Sequence, residues 1–241
     1  MSDPIFENAR LISIYDAFDG QRFDLEHYVA IAEELNAQSV LDIGCGTGCF
    51  AHILAAKGLD VIGVEPAQAS LDAARKKPNS NQIQWILGDP TCLPDLAVDM
   101  AVMTENVAQV FLTEDSWVDA ITGIKKALKP TGHIVFEVRD PSQQAWLKWT
   151  REQTYQRIEI PDVGFVQGWC ELTNISDGLV SFRWTYVFEA DGQTLTSCST
   201  LRFREKEEII SSLKKTGYTI KDIRDAPDRP KLEFVFIASA S

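Results

Sequence analysis

Histidine is scarce in this chain, with three among 241 residues, and the five cysteines (Cys45, Cys49, Cys92, Cys170, Cys198) show no C-x-x-C spacing. That poverty argues against a zinc cluster or any other metal site. An odd number of scattered cysteines argues against a disulfide framework and for reduced thiols. Long apolar runs are missing too, and none approaches the roughly 18 residues that a membrane span needs. The first residues, Met1-Ser-Asp-Pro-Ile-Phe-Glu-Asn, lack the basic-then-apolar order of a secretory signal, so a cytoplasmic location is expected. Basic residues are outnumbered 35 to 23, giving a net charge of −12. A partner rich in phosphate, whether nucleic acid or an anionic membrane, would need clustered Lys and Arg that are not there.

Apolar material is plentiful, at 45% hydrophobic and 10% aromatic residues. It suffices for one large domain, or one domain with an insertion. The charge is unevenly spread. Residues 1–35 hold two basic and eight acidic residues, and residues 36–140 hold eight and thirteen. The rest is nearly neutral, with six and seven in residues 141–204 and seven of each in 205–241.

Periodicity predicts helices over 5–18 and 24–35, the second with Leu25, Tyr28, Val29, Ala32 and Leu35 at helical spacing. Five strands then alternate with helical segments: Ser39 to Ile43, Asp60 to Glu65, Ile83 to Leu87, Val98 to Met103 and His133 to Arg139. The intervening helices are expected at 49–57, 71–77 and 114–128. This alternation implies an α/β domain with a doubly wound parallel sheet covered on both faces. From 155 to 204 the pattern changes to strand-like stretches at 155–160, 165–173, 179–190 and 194–203. Asp191-Gly192 marks a hairpin between the last two. A helix over 205–215 and strands at 218–224 and 232–238 close the chain. The domain reading is a helical cover (1–35), an α/β domain (36–140 with 205–241) and an inserted antiparallel β-sheet (141–204).

The chemistry centres on Asp42-x-Gly44-x-Gly46-x-Gly48 between the first strand and its helix. Glycines there let a ligand approach the backbone and accept positive φ. A dinucleotide fingerprint is G-x-G-x-x-G and cradles a pyrophosphate; here the last glycine comes one residue early. The carboxylate of Asp42 would repel a pyrophosphate and suits a cation such as an amino group. Glu65, at the end of the second strand, can accept hydrogen bonds from ribose hydroxyls, and Asp89, ending the third, can meet an adenine amino group. All three carboxylates sit at the strand ends where open α/β sheets bind ligands.

In order, Val40 to Phe50, Val61 to Pro66, Gly88-Asp89 and Lys129-Pro-Thr-Gly-His-Ile-Val resemble the motifs of class I S-adenosylmethionine-dependent methyltransferases. The resemblance covers about 36–140 and 205–240. It implies a Rossmann-like, doubly wound seven-stranded sheet with the last strand antiparallel. It also implies S-adenosyl-L-methionine as cofactor and methyl transfer to a nitrogen or oxygen of a small molecule. Carried over, Asp42, Gly44, Cys45, Gly46 and Gly48 would line the methionine part. Glu65 would hold the ribose, and Pro66 and Asp89 with Pro90 would reach the adenine. The stretch Glu105-Asn106-Val107-Ala108-Gln109 would lie beside the sulfonium and the acceptor. Tyr15 and Arg22, ahead of the first strand, are placed to close over the cofactor carboxylate. Candidates for a catalytic role are Asn106, Arg139 at the end of the fifth strand, and His27 in the helical cover. A nicotinamide-dependent dehydrogenase is disfavoured by the glycine spacing. A non-catalytic cofactor-binding regulator, or another alkyl transfer on the same fold, remains as an alternative. Trp146, Trp149, Trp169 and Trp184 are assigned to the insert, which suits a water-excluding substrate pocket, its own packing, or a surface for a second copy of the chain.

Overall fold

The computed structural model describes residues 3–240. Three short helices precede the first strand: α1 (Pro4–Glu7), α2 (Ala9–Asp19) and α3 (Leu25–Glu34). The single helix expected over 5–18 is two, because Asn8 leaves the helical region and its side chain accepts from the Arg10 and Leu11 amides, capping α2. The alternating part follows as β1 (Ser39–Ile43), α4 (Cys49–Ala56), β2 (Asp60–Glu65), α5 (Gln68–Lys76), β3 (Ile83–Leu87), β4 (Val98–Met103), α6 (Glu114–Ala127) and β5 (Leu128–Arg139). A connecting helix, α7 (Arg151–Thr154), leads to β6 (Gln156–Ile160), β7 (Gly164–Ser176), β8 (Leu179–Phe188) and β9 (Thr194–Arg202). The chain ends with α8 (Lys206–Lys215), β10 (Tyr218–Asp225) and β11 (Glu233–Ala240).

The strands form two sheets. The larger has seven strands in the order β10-β11-β5-β4-β1-β2-β3, and β6-β7-β8-β9 make a separate antiparallel sheet. Strands β1 to β5 pair in parallel, and β11 alone runs against both neighbours. The Rossmann-like sheet with its antiparallel last strand is therefore present. Pro130-Thr-Gly132 does not form a separate turn. Strand β5 begins at Leu128, and the register slips between the pairs Val98–Leu128 and Met100–His133, so the extra residues bulge from one edge.

One face of the large sheet packs Phe136, Phe236 and Ile134 against Trp117, Ile121 and Ile124 of α6 and Leu213 of α8. The other packs Val40, Met100 and Val135 against Leu25, Tyr28 and Val29 of α3 and Phe50 and Leu54 of α4. Burial on both faces explains why these strands read as continuous apolar runs. The small sheet takes its core from elsewhere: Val166, Tyr186 and Phe188 pack on Ile5, Leu11 and Ile14 of α1 and α2. The N-terminal helices thus hold the small sheet above the carboxyl ends of the large one. Trp146 and Trp149 lie before β6 rather than in the small sheet. They pack edge-on against Phe203 and Phe182, at centroid distances of 4.6 and 4.7 Å, and so pin the connection from β5 to the sheet.

Candidate functional site

A cavity of about 950 Å3 opens between the carboxyl ends of β1–β5 and the small sheet. Its floor comes from the loop after β1. Gly44, Gly46 and Gly48 all have positive φ (68°, 54° and 79°), a backbone that only glycine adopts cheaply. Their surroundings differ. A Cβ on Gly44 would strike Val107 at 2.8 Å, and one on Gly48 would strike Trp85 at 2.6 Å. One on Gly46 would meet nothing within 4 Å. Gly44 and Gly48 therefore serve packing, and Gly46 presents bare backbone to open space.

Asp42, near the end of β1 just before this loop, is 1% exposed, and its Oδ2 has no hydrogen-bond partner. Burial pushes its carboxyl up to about 7; Arg22 pulls it down and Glu65 adds to the rise. An orphaned, buried carboxylate oxygen in a cavity wall is an unfilled place for a cation. Glu65 is tied to the same floor, accepting from the Gly46 amide at 3.0 Å and the Ala67 amide at 3.0 Å. Burial raises its carboxyl, and those two amides oppose the rise. Cys45 is buried with its thiol pushed up, so its backbone and not its sulfur is the part available to a ligand. Pro66, Asp89 and Pro90 line the far end, where Asp89 accepts from Thr91 N at 2.7 Å and caps a 3-10 turn. Carboxylates at two levels of a glycine-floored cavity fit a cationic nucleoside, so the donor set suits S-adenosylmethionine.

The turn after β4 is unusual. Glu105 and Asn106 both have left-handed backbones, φ 53° and 61°, a conformation that costs of order 1–3 kcal/mol for each non-glycine residue. A buried network holds it. The Asn106 amide donates to Glu137 Oε1 at 3.1 Å, and its Nδ2 lies 3.4 Å from Glu137 and 3.3 Å from Glu233. The Tyr28 hydroxyl donates to the other oxygen of Glu137. Burial, with Glu233 alongside, pushes the Glu137 carboxyl up to about 7. Asn106 Oδ1 and Glu233 Oε2 are buried without partners.

Glu105 projects into the cavity. Its Oε1 lies 2.8 Å from Arg22 Nη1, and its Oε2 lies 3.5 Å from the Tyr15 hydroxyl. Tyr15 and Arg22 thus stand on the cavity wall, but Arg22 already serves three carboxylates: Asp24 through Nε and Nη2, Asp19 at 2.9 Å and Glu105. Arg139 also lines the cavity. The ion pair it makes is with Glu233, at 3.6 Å, and its guanidinium stacks 5.6 Å from Trp149.

His27 lies outside the cavity wall. Its ring packs 4.0 Å from Tyr28 and its Nε2 is buried without a partner, while burial lowers its basicity. None of the three histidines lines the cavity among the described residues. Among the described residues there is also no group of three or more His, Cys, Asp or Glu arranged for a metal ion.

Several groups around the cavity were not singled out from sequence: Phe6, Asp19, Arg229, and the buried Glu137, Glu233 and Tyr28. For Glu137 a signal existed, since a charged residue inside the apolar run Ile134–Val138 is out of place. Nothing local marked Phe6 or Arg229. The roof comes from the small sheet, with Phe182, Trp184 and the hydroxyls of Thr173, Ser181 and Thr200.

Residues 40–132 match the family model for a methyltransferase domain. The cypemycin N-terminal methyltransferase of a Streptomyces species is 29% identical over 147 residues, 59% of this chain and 60% of that protein. The chain thus spans about three-fifths of that relative, and 48% of the ubiquinone biosynthesis O-methyltransferase of Acinetobacter baylyi, which is 28% identical over 115 residues. Among solved structures, the CcbJ methyltransferase of Streptomyces caelestis superposes with a TM-score of 0.78, at 21% identity, over 98% of this chain and 97% of that one. At that identity the likeness speaks to the fold, which is shared over nearly the whole length. Residues 40–132 therefore carry a methyltransferase domain, set in a fold that the chain shares with solved methyltransferases over nearly its whole length.

Proposed function

We propose that the protein is an enzyme that transfers a methyl group from S-adenosylmethionine to a nitrogen or oxygen nucleophile of a small molecule. The observation that carries this reading is the buried, unpartnered Oδ2 of Asp42, which shares with the bare backbone of Gly46 the wall of a cavity roofed by the small sheet. Asp42 would hold the ammonium group of the methionine part and Glu65 the ribose hydroxyls, with Pro66, Asp89 and Pro90 around the adenine. Gly44 and Cys45 would complete the backbone cradle, while Gly48, which does not line the cavity, holds the loop by packing on Trp85. Tyr15, Arg22 and Asn106 would border the methionine end. Bound there, the cofactor supplies a methyl carbon made electrophilic by the sulfonium. The chain's own work is to orient, to exclude water and to manage one proton. Phe182, Trp184 and Phe111 in the wall exclude water, and the rigid turn at Glu105-Asn106 fixes polar groups beside the reacting centre.

Relatives support a small acceptor. Cypemycin N-terminal methyltransferase acts at an N-terminus by its name, and solved structures of the same fold include a sugar N-methyltransferase, KedS8, from a Streptoalloteichus species, at a TM-score of 0.72. The net charge of −12 supports a partner other than nucleic acid. Five free cysteines, and no helix among the described residues long and apolar enough to cross a membrane, are consistent with work in the cytoplasm. The exposed edge strand β6 is where a second copy of the chain would add, were the protein a dimer.

Calorimetry with S-adenosylmethionine and S-adenosylhomocysteine tests the reading. Wild type is expected to bind both in the micromolar range, and Asp42→Ala and Glu65→Ala to lose binding; absence of binding in wild type refutes it. A screen of amines, phenols, carboxylates and thiols for S-adenosylhomocysteine release then separates an enzyme from a binder.

A further inference from the structure

The wall around Glu105 is overloaded with negative charge. Asp19, Asp24 and Glu105 all lie within 2.9 Å of the one guanidinium of Arg22. Asp42, close enough for Arg22 to lower its carboxyl, adds a fourth. The other guanidiniums of the cavity wall are committed elsewhere: Arg139 and Arg229 face Glu233, at 3.6 and 2.8 Å. Three of the four carboxyls have fixed duties or places. Asp24 takes the Nε and Nη2 donors of Arg22, Asp19 takes Nη1, and Asp42 is sealed in the floor. Glu105 shares Nη1 with Asp19, whose carboxyl is within hydrogen-bond reach of its own; its Oε2 lies 3.5 Å from the Tyr15 hydroxyl, and its side chain is 31% exposed, toward the cavity.

We propose that Glu105 receives the acceptor, and that the acceptor is an amine which arrives as its ammonium ion and gives its proton to Glu105. This rests on the methyltransferase reading. A proton passes from the ammonium to the Glu105 carboxylate, and the freed nitrogen pair forms the C–N bond to the methyl carbon. The C–S bond breaks with its electron pair left on sulfur, which becomes a neutral thioether.

Three observations support the assignment. Among the described residues no histidine lines the cavity, so a carboxylate is the base at hand. Desolvation, opposed by Arg22, pushes the Glu105 carboxyl up to about 8, within reach of an aliphatic ammonium at about 10.4; an aliphatic hydroxyl is a far weaker acid. A phenol titrates at about 10, but its conjugate base is an anion and would add to the surplus negative charge. The Glu105-Asn106 turn, clamped by Glu137, holds the carboxylate at a fixed place as a positioned base requires.

The test uses a matched pair of probes on the protein saturated with S-adenosylhomocysteine: benzylamine and benzyl alcohol, whose ring suits Phe182 and Trp184. Calorimetry is expected to show benzylamine bound at least about tenfold more tightly than the alcohol, a margin in the range of a charge-assisted hydrogen bond. Glu105→Gln is expected to erase that preference. Glu105→Asp, which draws the charge back by one methylene, is expected to weaken it about threefold and serves if the Gln variant does not fold. Equal binding of the two probes, no binding of either up to 10 mM (roughly the 3 kcal/mol limit of useful affinity), or a preference that survives in Glu105→Gln overturns the assignment. Wild type unable to bind S-adenosylhomocysteine in the first step refutes the methyltransferase reading instead.

Discussion

The indole of Trp85 lies directly over Gly48, its Cη2 only 2.6 Å from where any Cβ at position 48 would stand. That contact and the φ of +79° make Gly48 a packing glycine. Gly46, two residues away, has φ +54° and open space before it. The two substitutions to alanine should therefore separate stability from binding. Gly48→Ala carries about 1–2 kcal/mol of left-handed strain plus roughly 1–3 kcal/mol of overpacking. Gly46→Ala carries the strain alone. Thermal unfolding should show the larger fall for Gly48→Ala, at about 2–4 °C per kcal/mol for a chain of this size. Gly46→Ala should show the loss of cofactor affinity with the smaller fall.

Asp42 predicts a trade of stability against binding. Its carboxyl titrates at about 7 in the folded, ligand-free chain, because burial disfavours the charge, against about 3.9 unfolded. Between those values the folded state binds the extra proton, so this group makes the empty protein less stable as pH rises from 4 to 7. Asp42→Asn removes the penalty. Its melting temperature at pH 8, without ligand, should exceed that of wild type, while its affinity for S-adenosylhomocysteine collapses. In wild type the affinity should fall as pH drops below about 7, since the ligand's ammonium group needs the ionised form; the variant should lose that dependence.

Tyr28 is fully buried and its hydroxyl donates to Glu137, the carboxylate that clamps the Asn106 amide. Tyr28→Phe leaves a buried carboxylate oxygen short of a donor, at a cost of about 1–3 kcal/mol. Denaturant unfolding should record that loss. A Tyr28→Phe protein as stable as wild type would show that water replaces the hydroxyl.

On β8, side chains six residues apart on one face serve different ends. Phe188 is 0% exposed among Leu11, Ile14 and Val166, with Arg10 3.8 Å above its ring. Phe188→Ala should cost about 3–5 kcal/mol. Phe182 is half-buried, meets Trp149 at 4.7 Å and lines the cavity. Phe182→Ala should cost less than half as much stability and raise KM for the acceptor, leaving the affinity for S-adenosylhomocysteine unchanged.

Patterning made much of the fold legible. Strands β1 to β4 appear at the residues where apolar runs and flanking glycines set them, because a strand buried on both faces has no polar alternation to blur it. Where local chemistry outweighed periodicity, the reading slipped. Asn8 splits the first helix by capping the second, and α5 begins at Gln68, three residues before the expected start, with Ser70 buried inside it and donating to the Phe6 carbonyl. The glycine loop and the acidic strand ends could be read as a motif since they are contiguous or regularly spaced in the chain. Arg229 and Glu233 could not, for they reach the Glu137–Asn106 network from more than 90 residues away.

The sequence by itself determined the alternating α/β layout, the cofactor-type loop at Asp42–Gly48 and the concentration of acidity in the first 140 residues. It did so because hydrophobic period and backbone freedom are local properties. Only the tertiary structure decided how that acidity is spent. It gathers Asp19, Asp24 and Glu105 onto Arg22 and buries Asp42 without a full set of partners. It also brings the small sheet over the strand ends by packing it on α1 and α2. Charge density along a chain says nothing of distance between side chains, and only folding sets four carboxyls around one guanidinium and leaves Glu105 facing the cavity.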